Sequence, residues 1–413
     1  MLLPLFFSVL SANPHVLQQE PLPADAERAV VVEFAWEQGL PTAYGLEHGT
    51  LLGMSEALSP HGFQRIFWQE RGLIPGPGQT IVDFNTDTLQ ISYGIPDLFL
   101  KSSWLEFYGR GELFASNLLN DHALDGKQDK SRSFNAGYAL TGVFFSRSLS
   151  LPRGLIGGKT KTQRRLQLQS RFELRQYFQT RNDVTAADFV LPADNTSFEP
   201  SVGFLFSEGE RVGAFRRLHG IDVRGEATAF YRPNQIAWGM PDDDGLLDGR
   251  NSAEFWSGRV HLQIEGGWGL NLGQLVSLNV ATKVFSGLGE GLDDRNRFLV
   301  GGENRFVHAL PGAGWGEFLV DRLTSMHGEV NLVFFEHVLV EVGADLLVLN
   351  DLRRNGALDA MAPVLGTYVE AMTFISSDWL IRLRLAQAFG VPRAPLDDGL
   401  KIFVSLEWRI LPW

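Results

Sequence analysis

Ser325 and His327 stand two residues apart on a segment of alternating polarity, the spacing at which a strand places two side chains on one face. A serine beside a histidine could act as nucleophile and base if an acid oriented the ring. No acidic third member is specified by the sequence, and no G-x-S-x-G turn is present, so the pair reads as structural and no catalytic residue is assigned. The nine histidines show no H-x-x-x-H spacing and the chain has no cysteine, so neither a metal site nor a cofactor is expected. Asp242, Asp243, Asp244 and Asp248 could together suit a hard cation, but their spacing is not that of an EF-hand and they read as a solvated acidic loop.

Charge offers a more ordered pattern. Arg165, Gln167, Gln169, Arg171, Glu173 and Arg175 alternate with Leu166, Leu168, Phe172 and Leu174, so one face of a strand carries a ladder of arginines and the other carries hydrocarbon. The same two-sided writing recurs at Ile221–Ala229 and Val260–Trp268. It closes the chain in KIFVSLEWRILPW, where Ile402, Val404, Leu406, Trp408 and Ile410 oppose Lys401, Phe403, Ser405, Glu407 and Arg409. Projected to one side, the polar faces gather both signs, including Arg110, Arg224, Arg382 and Arg384 with Glu106, Glu226 and Glu265. A water-filled interior accommodates such a mixture; a soluble core does not.

The elements that must position these residues are therefore strands between lipid and water. No apolar run reaches the 18 or more residues of a membrane helix, and the mean hydropathy of -0.04 is what results when lumen and lipid residues cancel. A net charge of -12 without a basic block argues against a nucleic-acid partner. At the N-terminus, MLLPLFFSVLSA has the short apolar core and small residues of a secretory signal. Residues 1–12 are read as that signal, 13–27 as a short periplasmic segment and 28–413 as one barrel domain.

Alternation marks sixteen candidate strands, at roughly 28–37, 63–73, 79–95, 103–117, 133–148, 161–180, 197–209, 218–233, 252–268, 273–287, 296–303, 325–337, 338–350, 364–375, 378–391 and 400–410. The number is even, as bacterial barrels require. Clusters such as IPGPGQ, LNDHALDGKQDK and VPRAPLDDGL separate them, some short and some long. The expected fold is all-β: a transmembrane antiparallel β-barrel of about 16 strands in the outer membrane of a Gram-negative bacterium, with its lipid as the surroundings.

The last part of the chain carries FLVGGENRFVHALPGAGWGE, HGEVNLVFFEHVLVEVGADLLVLND and a final strand ending in Trp413. This series resembles the bacterial surface-antigen superfamily, sixteen-stranded barrels that insert or translocate other proteins at the outer membrane. The resemblance implies a Gly-Gly strand end, here Gly301 and Gly302, that leads into a long loop folded back into the lumen. Where the family carries Val-Arg-Gly-Phe/Tyr this chain has Val307, His308, Ala309 and Leu310, with Arg305 nearby. The loop residues would meet lumen acids, for which Glu329, Glu341 and Asp345 are the candidates. Partners implied are client outer-membrane proteins and a separate periplasmic protein supplying the domains that this barrel lacks. The alternative is a passive, porin-like channel for small solutes, with Arg165, Arg171 and Arg175 setting ion selectivity.

Overall fold

Alternation in the sequence becomes alternate exposure in the computed structural model, with polarity reversed from that of a soluble core. Phe172 and Leu174 are 51% and 53% exposed, while Glu173 between them and Arg175 after them are each 5% exposed. The structure describes residues 28–39, 61–85, 88–112, 123–124, 127–128, 134–151, 163–183, 185–212, 215, 217–241, 247, 254–273, 275–293, 295–301, 310–311, 318–350, 361–375, 379–390 and 400–410. The expected signal, the segment 13–27 and the acidic stretch at Asp242–Asp248 lie outside the described residues, apart from Leu247.

The strands in chain order are β1 Arg28–Gly39, β2 His61–Arg71, β3 Gln79–Asn85, β4 Thr88–Pro96, β5 Ser103–Glu112, β6 Ala123–Leu124 and β7 Lys127–Gln128. There follow β8 Phe134–Ser150, β9 Gln163–Arg181, β10 Thr196–Val212, β11 Arg217–Tyr231, β12 Trp256–Asn271, β13 Val276–Glu290, β14 Phe298–Val300 and β15 Phe318–Val320. The last are β16 Arg322–Phe334, β17 Val338–Asn350, β18 Met361–Phe374, β19 Trp379–Phe389 and β20 Leu400–Ile410. Sixteen of these form a closed antiparallel barrel, with β6–β7 and β14–β15 as separate two-stranded sheets.

Closure is made by β1 against β20, paired without a break from Val30 opposite Ile410 to Gly39 opposite Lys401. That ladder is as long as the one from β1 to β2, which runs from Arg28 opposite Glu70 to Glu37 opposite His61. A sheet in hydrocarbon has to close in this way, because an unpaired edge would leave backbone N–H and C=O groups with neither water nor protein as partner. The two rims differ. On one, the connections are brief, as at 213–216, 272–275 and 335–337; on the other they include 40–60, 113–133, 232–255 and 291–321. This is the asymmetry of outer-membrane barrels.

Two expectations require correction, and they offset one another in the count. Residues 79–95 are two strands rather than one, since the chain reverses between Asn85 and Thr88 and brings Phe84 opposite Leu89. The reversal has a trace in the sequence: the exposed apolar residue before it is even-numbered, Phe84, and those after it are odd-numbered, Leu89 and Ile91. No Gly or Pro marks the NTDT turn, so the change of phase is all that separates the two strands in the sequence. Conversely, 296–303 is not a wall strand: Phe298–Val300 pairs only with Phe318–Val320, inside the long connection between β13 and β16.

The closure yields a test. Ala35 and Ser405 are opposite each other on β1 and β20, and Cα atoms of antiparallel partners lie at about 4.5–5.5 Å, within reach of a disulfide. In this cysteine-free chain, Ala35→Cys with Ser405→Cys should oxidise to a single cross-linked species on a non-reducing gel. Cysteines that stay free under oxidant would show that the two strands are not paired.

Candidate functional site

The wall strands point their charged faces at one another across the lumen, and two networks result. In the first, Arg175 Nη2 meets Glu173 Oε2 and Glu199 Oε2, each at 3.1 Å, and Arg171 Nη2 meets Glu226 Oε1 at 2.7 Å. The Arg175 guanidinium lies 4.5 Å from the ring centre of Tyr138, and Tyr177 Oη donates to Glu199 at 3.3 Å. All of these acids and arginines are nearly excluded from solvent. Ions held so closely contribute when complete and cost most when half-made, because removal of one partner leaves a buried charge uncompensated.

Tyr108 closes this network from two strands away. Its hydroxyl donates to Glu173 Oε1 at 2.6 Å across β8, where Gly142 stands in register between Tyr108 and Glu173. A Cβ on Gly142 would overlap the Tyr108 ring, so the missing side chain is what lets the phenol lie flat and reach the acid.

The second network repeats the device on β16–β19. Tyr368 stands in register with Gly343 and Glu329, and a Cβ on Gly343 would overlap its ring. The Tyr368 hydroxyl donates to Glu341 Oε1 at 2.7 Å and reaches Glu329 Oε2 at 3.5 Å. Arg384 lies over its ring at 3.9 Å and bonds Glu370, which Arg382 also meets at 3.2 Å. At the centre is His327, with Nε2 3.0 Å from Glu329 and Nδ1 3.0 Å from Asp345. Both ring nitrogens are thus engaged by acids rather than by Ser325.

Described residues of the connection from β13 to β16 pack against the inward face of the wall near the long-loop rim. Phe298, Val300, Leu310 and Val320 pack against the inward residues Phe285, Leu323, Leu347, Leu349, Val364 and Ala388 in one apolar cluster whose members are at most 3% exposed. Asp293 fastens the same connection to two others. It meets Arg232 at 2.7 Å and Arg295 at 2.6 Å and accepts from Gln235 Nε2 at 3.2 Å, while Asn195 Nδ2 donates to Gln235 Oε1 at 2.9 Å. Arg259 of the wall donates to the Asn296 carbonyl at 3.1 Å. Among the described residues, three connections of the far mouth are thus tied to one another and to the wall.

Of the residues singled out by sequence, Arg171 and Arg175 come together among acids, whereas Arg165 is exposed and donates to Ser148 Oγ at 3.0 Å. Thus the ladder is not one field of positive charge. Glu329, Glu341 and Asp345 do converge, around His327 and Tyr368. Gly301 is buried, with φ of 119°, at the end of β14. Gly302, Arg305, Val307 and His308 lie outside the described residues. Sequence reasoning missed Asp293, Arg232, Tyr108 and Tyr368. The first two sit in loops without periodicity, and the tyrosines are recognisable only once a glycine is known to stand beside them.

Both networks can be probed in detergent by the urea dependence of the folded and unfolded gel bands. Arg175→Met leaves Glu173 and Glu199 facing each other and should lower stability by about 3–5 kcal/mol. Gly142→Ala forces the Tyr108 ring aside and should cost about 1–3 kcal/mol. Gly328→Ala is the control, since a Cβ there meets nothing within 4 Å; it should stay within about 0.5 kcal/mol of the parent. Equal effects of the two alanines would refute the role given to Gly142.

Comparison with known proteins supports the fold and leaves the family unassigned. No family model and no curated protein matches the chain. Among solved structures, CdiB from Acinetobacter baumannii matches with a TM-score of 0.53 at 11% identity, over 93% of this chain and 60% of that one. BamA from Haemophilus ducreyi lacking POTRA domains 1-3 matches with a TM-score of 0.56 at 9% identity, over 93% of this chain and 70% of that one. CdiB from Escherichia coli gives 0.52 at 11% identity, over 92% and 63%. The chain thus spans under two thirds of either CdiB. At such identities the likeness is one of architecture, that of an outer-membrane β-barrel.

Proposed function

We propose that this chain is an outer-membrane barrel acting in the insertion or translocation of other proteins at that membrane, with a separate periplasmic partner and no chemistry of its own. The observation that carries the reading is the lumen itself, lined by buried ion-pair networks and packed near its long-loop rim by a connection with an apolar core. The superfamily resemblance of the Gly301–Gly302 region and the architecture shared with BamA and CdiB support it.

A lumen lined by paired charges shifts attention to the wall. Only at β1 and β20 do the two ends of the chain meet in the sheet, so only there can a pair of strands part without straining a connecting turn. Parted edges present rows of free N–H and C=O groups, which an incoming strand can pair with by β-augmentation. The channel reading has less support, since Arg171 and Arg175, which would have to set a selective field, are neutralised by Glu226, Glu173 and Glu199.

Depletion of the protein in its host should reduce the folded amount of at least one other outer-membrane or translocated protein several-fold, measured by heat-modifiable mobility and surface protease protection. If every such protein kept its level and fold, the proposal would fail. The reduced Ala35→Cys/Ser405→Cys form should restore the depleted cells, whereas the oxidised form, with its seam locked, should not. Full rescue by the oxidised form would remove the seam from the mechanism.

A further inference from the structure

The hairpin β10–β11 leaves the wall before it turns. β9 pairs with β10 as far as Gln163 opposite Gly209, and β12 pairs with β11 from Gly267 opposite Gly220. β10 and β11 continue beyond that point with each other, to Val212 opposite Arg217. Among the described residues, the hairpin is therefore paired with its neighbours up to Gly209 and Gly220 and only with itself beyond them, as a two-stranded tongue. Those two glycines are themselves register partners, with φ of 146° and 148°. A Cβ on either would overlap the backbone of the opposite strand, so both the dihedral and the close approach demand glycine.

Three contacts show where the tongue goes. The Leu218 carbonyl is seated against Gly267 of β12, His219 Nε2 hydrogen-bonds with Asn279 Oδ1 of β13 at 3.0 Å, and the Phe215 ring lies 5.2 Å from the Phe374 ring of β18. Phe374 continues the inward parity of the buried residues Tyr368, Glu370 and Met372. In the barrel order, β12, β13, β16 and β17 separate β11 from β18. A segment lying along the wall could not touch β18; one crossing the opening can. Five residues from Gly220 to Phe215 span about 16 Å at roughly 3.3 Å per residue, about half a lumen of this size with the rings bridging the remainder.

We propose that this tongue is a gate over the short-turn mouth of the lumen, hinged at Gly209 and Gly220 and latched by Phe215 on Phe374 and His219 on Asn279. Among the described residues the lateral pairing of β10 and β11 stops at the hinge, and β12, described on to Asn271, forms no ladder with the tongue. Its latch is one ring contact and one hydrogen bond, weak beside the sheet that it crosses. With the tied connections of the far mouth and this tongue, both mouths of the lumen are crossed. The gate does not rest on the proposed insertion activity, and it can be tested without it.

The chain has no cysteine, so introduced thiols report cleanly. Phe215→Cys with Phe374→Cys should be joined by a short bismaleimide, shifting the unfolded band on a gel. Ala281→Cys, on β13 beside Asn279 and on the same inward parity, should react slowly with a polymer-linked maleimide. Adding Phe374→Ala, which changes the latch from the opposite wall and leaves the tongue's sequence intact, should raise that rate at least tenfold, as should Phe215→Ala with His219→Ala. Heat-modifiable mobility confirms that each variant is folded. Absence of the 215–374 cross-link, or an unchanged rate at Ala281→Cys in folded latch variants, would overturn the proposal.

Discussion

In hydrocarbon a backbone N–H or C=O without a partner has nothing to bond to, and every other property of this molecule depends on that constraint. It forces the sheet to close, so β1 must meet β20 over the full ladder from Val30 to Gly39. Closure divides each strand between lipid and lumen, which is why leucine, phenylalanine and valine are the exposed residues and arginine and glutamate the buried ones. It also sets the energetic problem of the interior, since a closed wall packed with both signs must satisfy its charges locally or hydrate them.

The molecule satisfies them locally. Each arginine of the first network has an acid within about salt-bridge distance, and His327 is held between two carboxylates. Where an acid lies beyond the reach of a neighbouring strand, a tyrosine crosses the intervening one over a glycine: Tyr108 over Gly142 to Glu173, Tyr368 over Gly343 toward Glu329. These rows tie three strands together at once, so they stiffen the wall on both sides of the lumen. β1 and β20 lie outside both rows, and this leaves their ladder as the place where the wall can open with least disturbance to the interior.

Much of this was legible in the sequence for a physical reason. The period of two is imposed by the two environments at each residue, so Arg171, Glu173 and Arg175 could be assigned to the lumen without knowing their neighbours. Glu341 and Asp345 were legible in the same way, whereas Glu329 was singled out only through the family resemblance. What could not be read were relations between strands. The turn at Asn85–Thr88 lacks glycine and proline, and Phe298–Val300 has the look of a strand without the length of a wall strand. The contacts of Asp293 with Arg232, and of Phe215 with Phe374, depend on loops crossing an opening whose width is a property of the closed barrel. A one-dimensional pattern carries faces well and distances across a lumen poorly.

The central claim is that this barrel, with its lumen charges paired and its mouths crossed by tied connections and a latched tongue, is not an open passage. Planar-bilayer recording of the purified, folded protein tests it most directly. The account predicts no steady conductance, with current confined to brief, infrequent openings. A stable ohmic pore in the unmodified protein would contradict it.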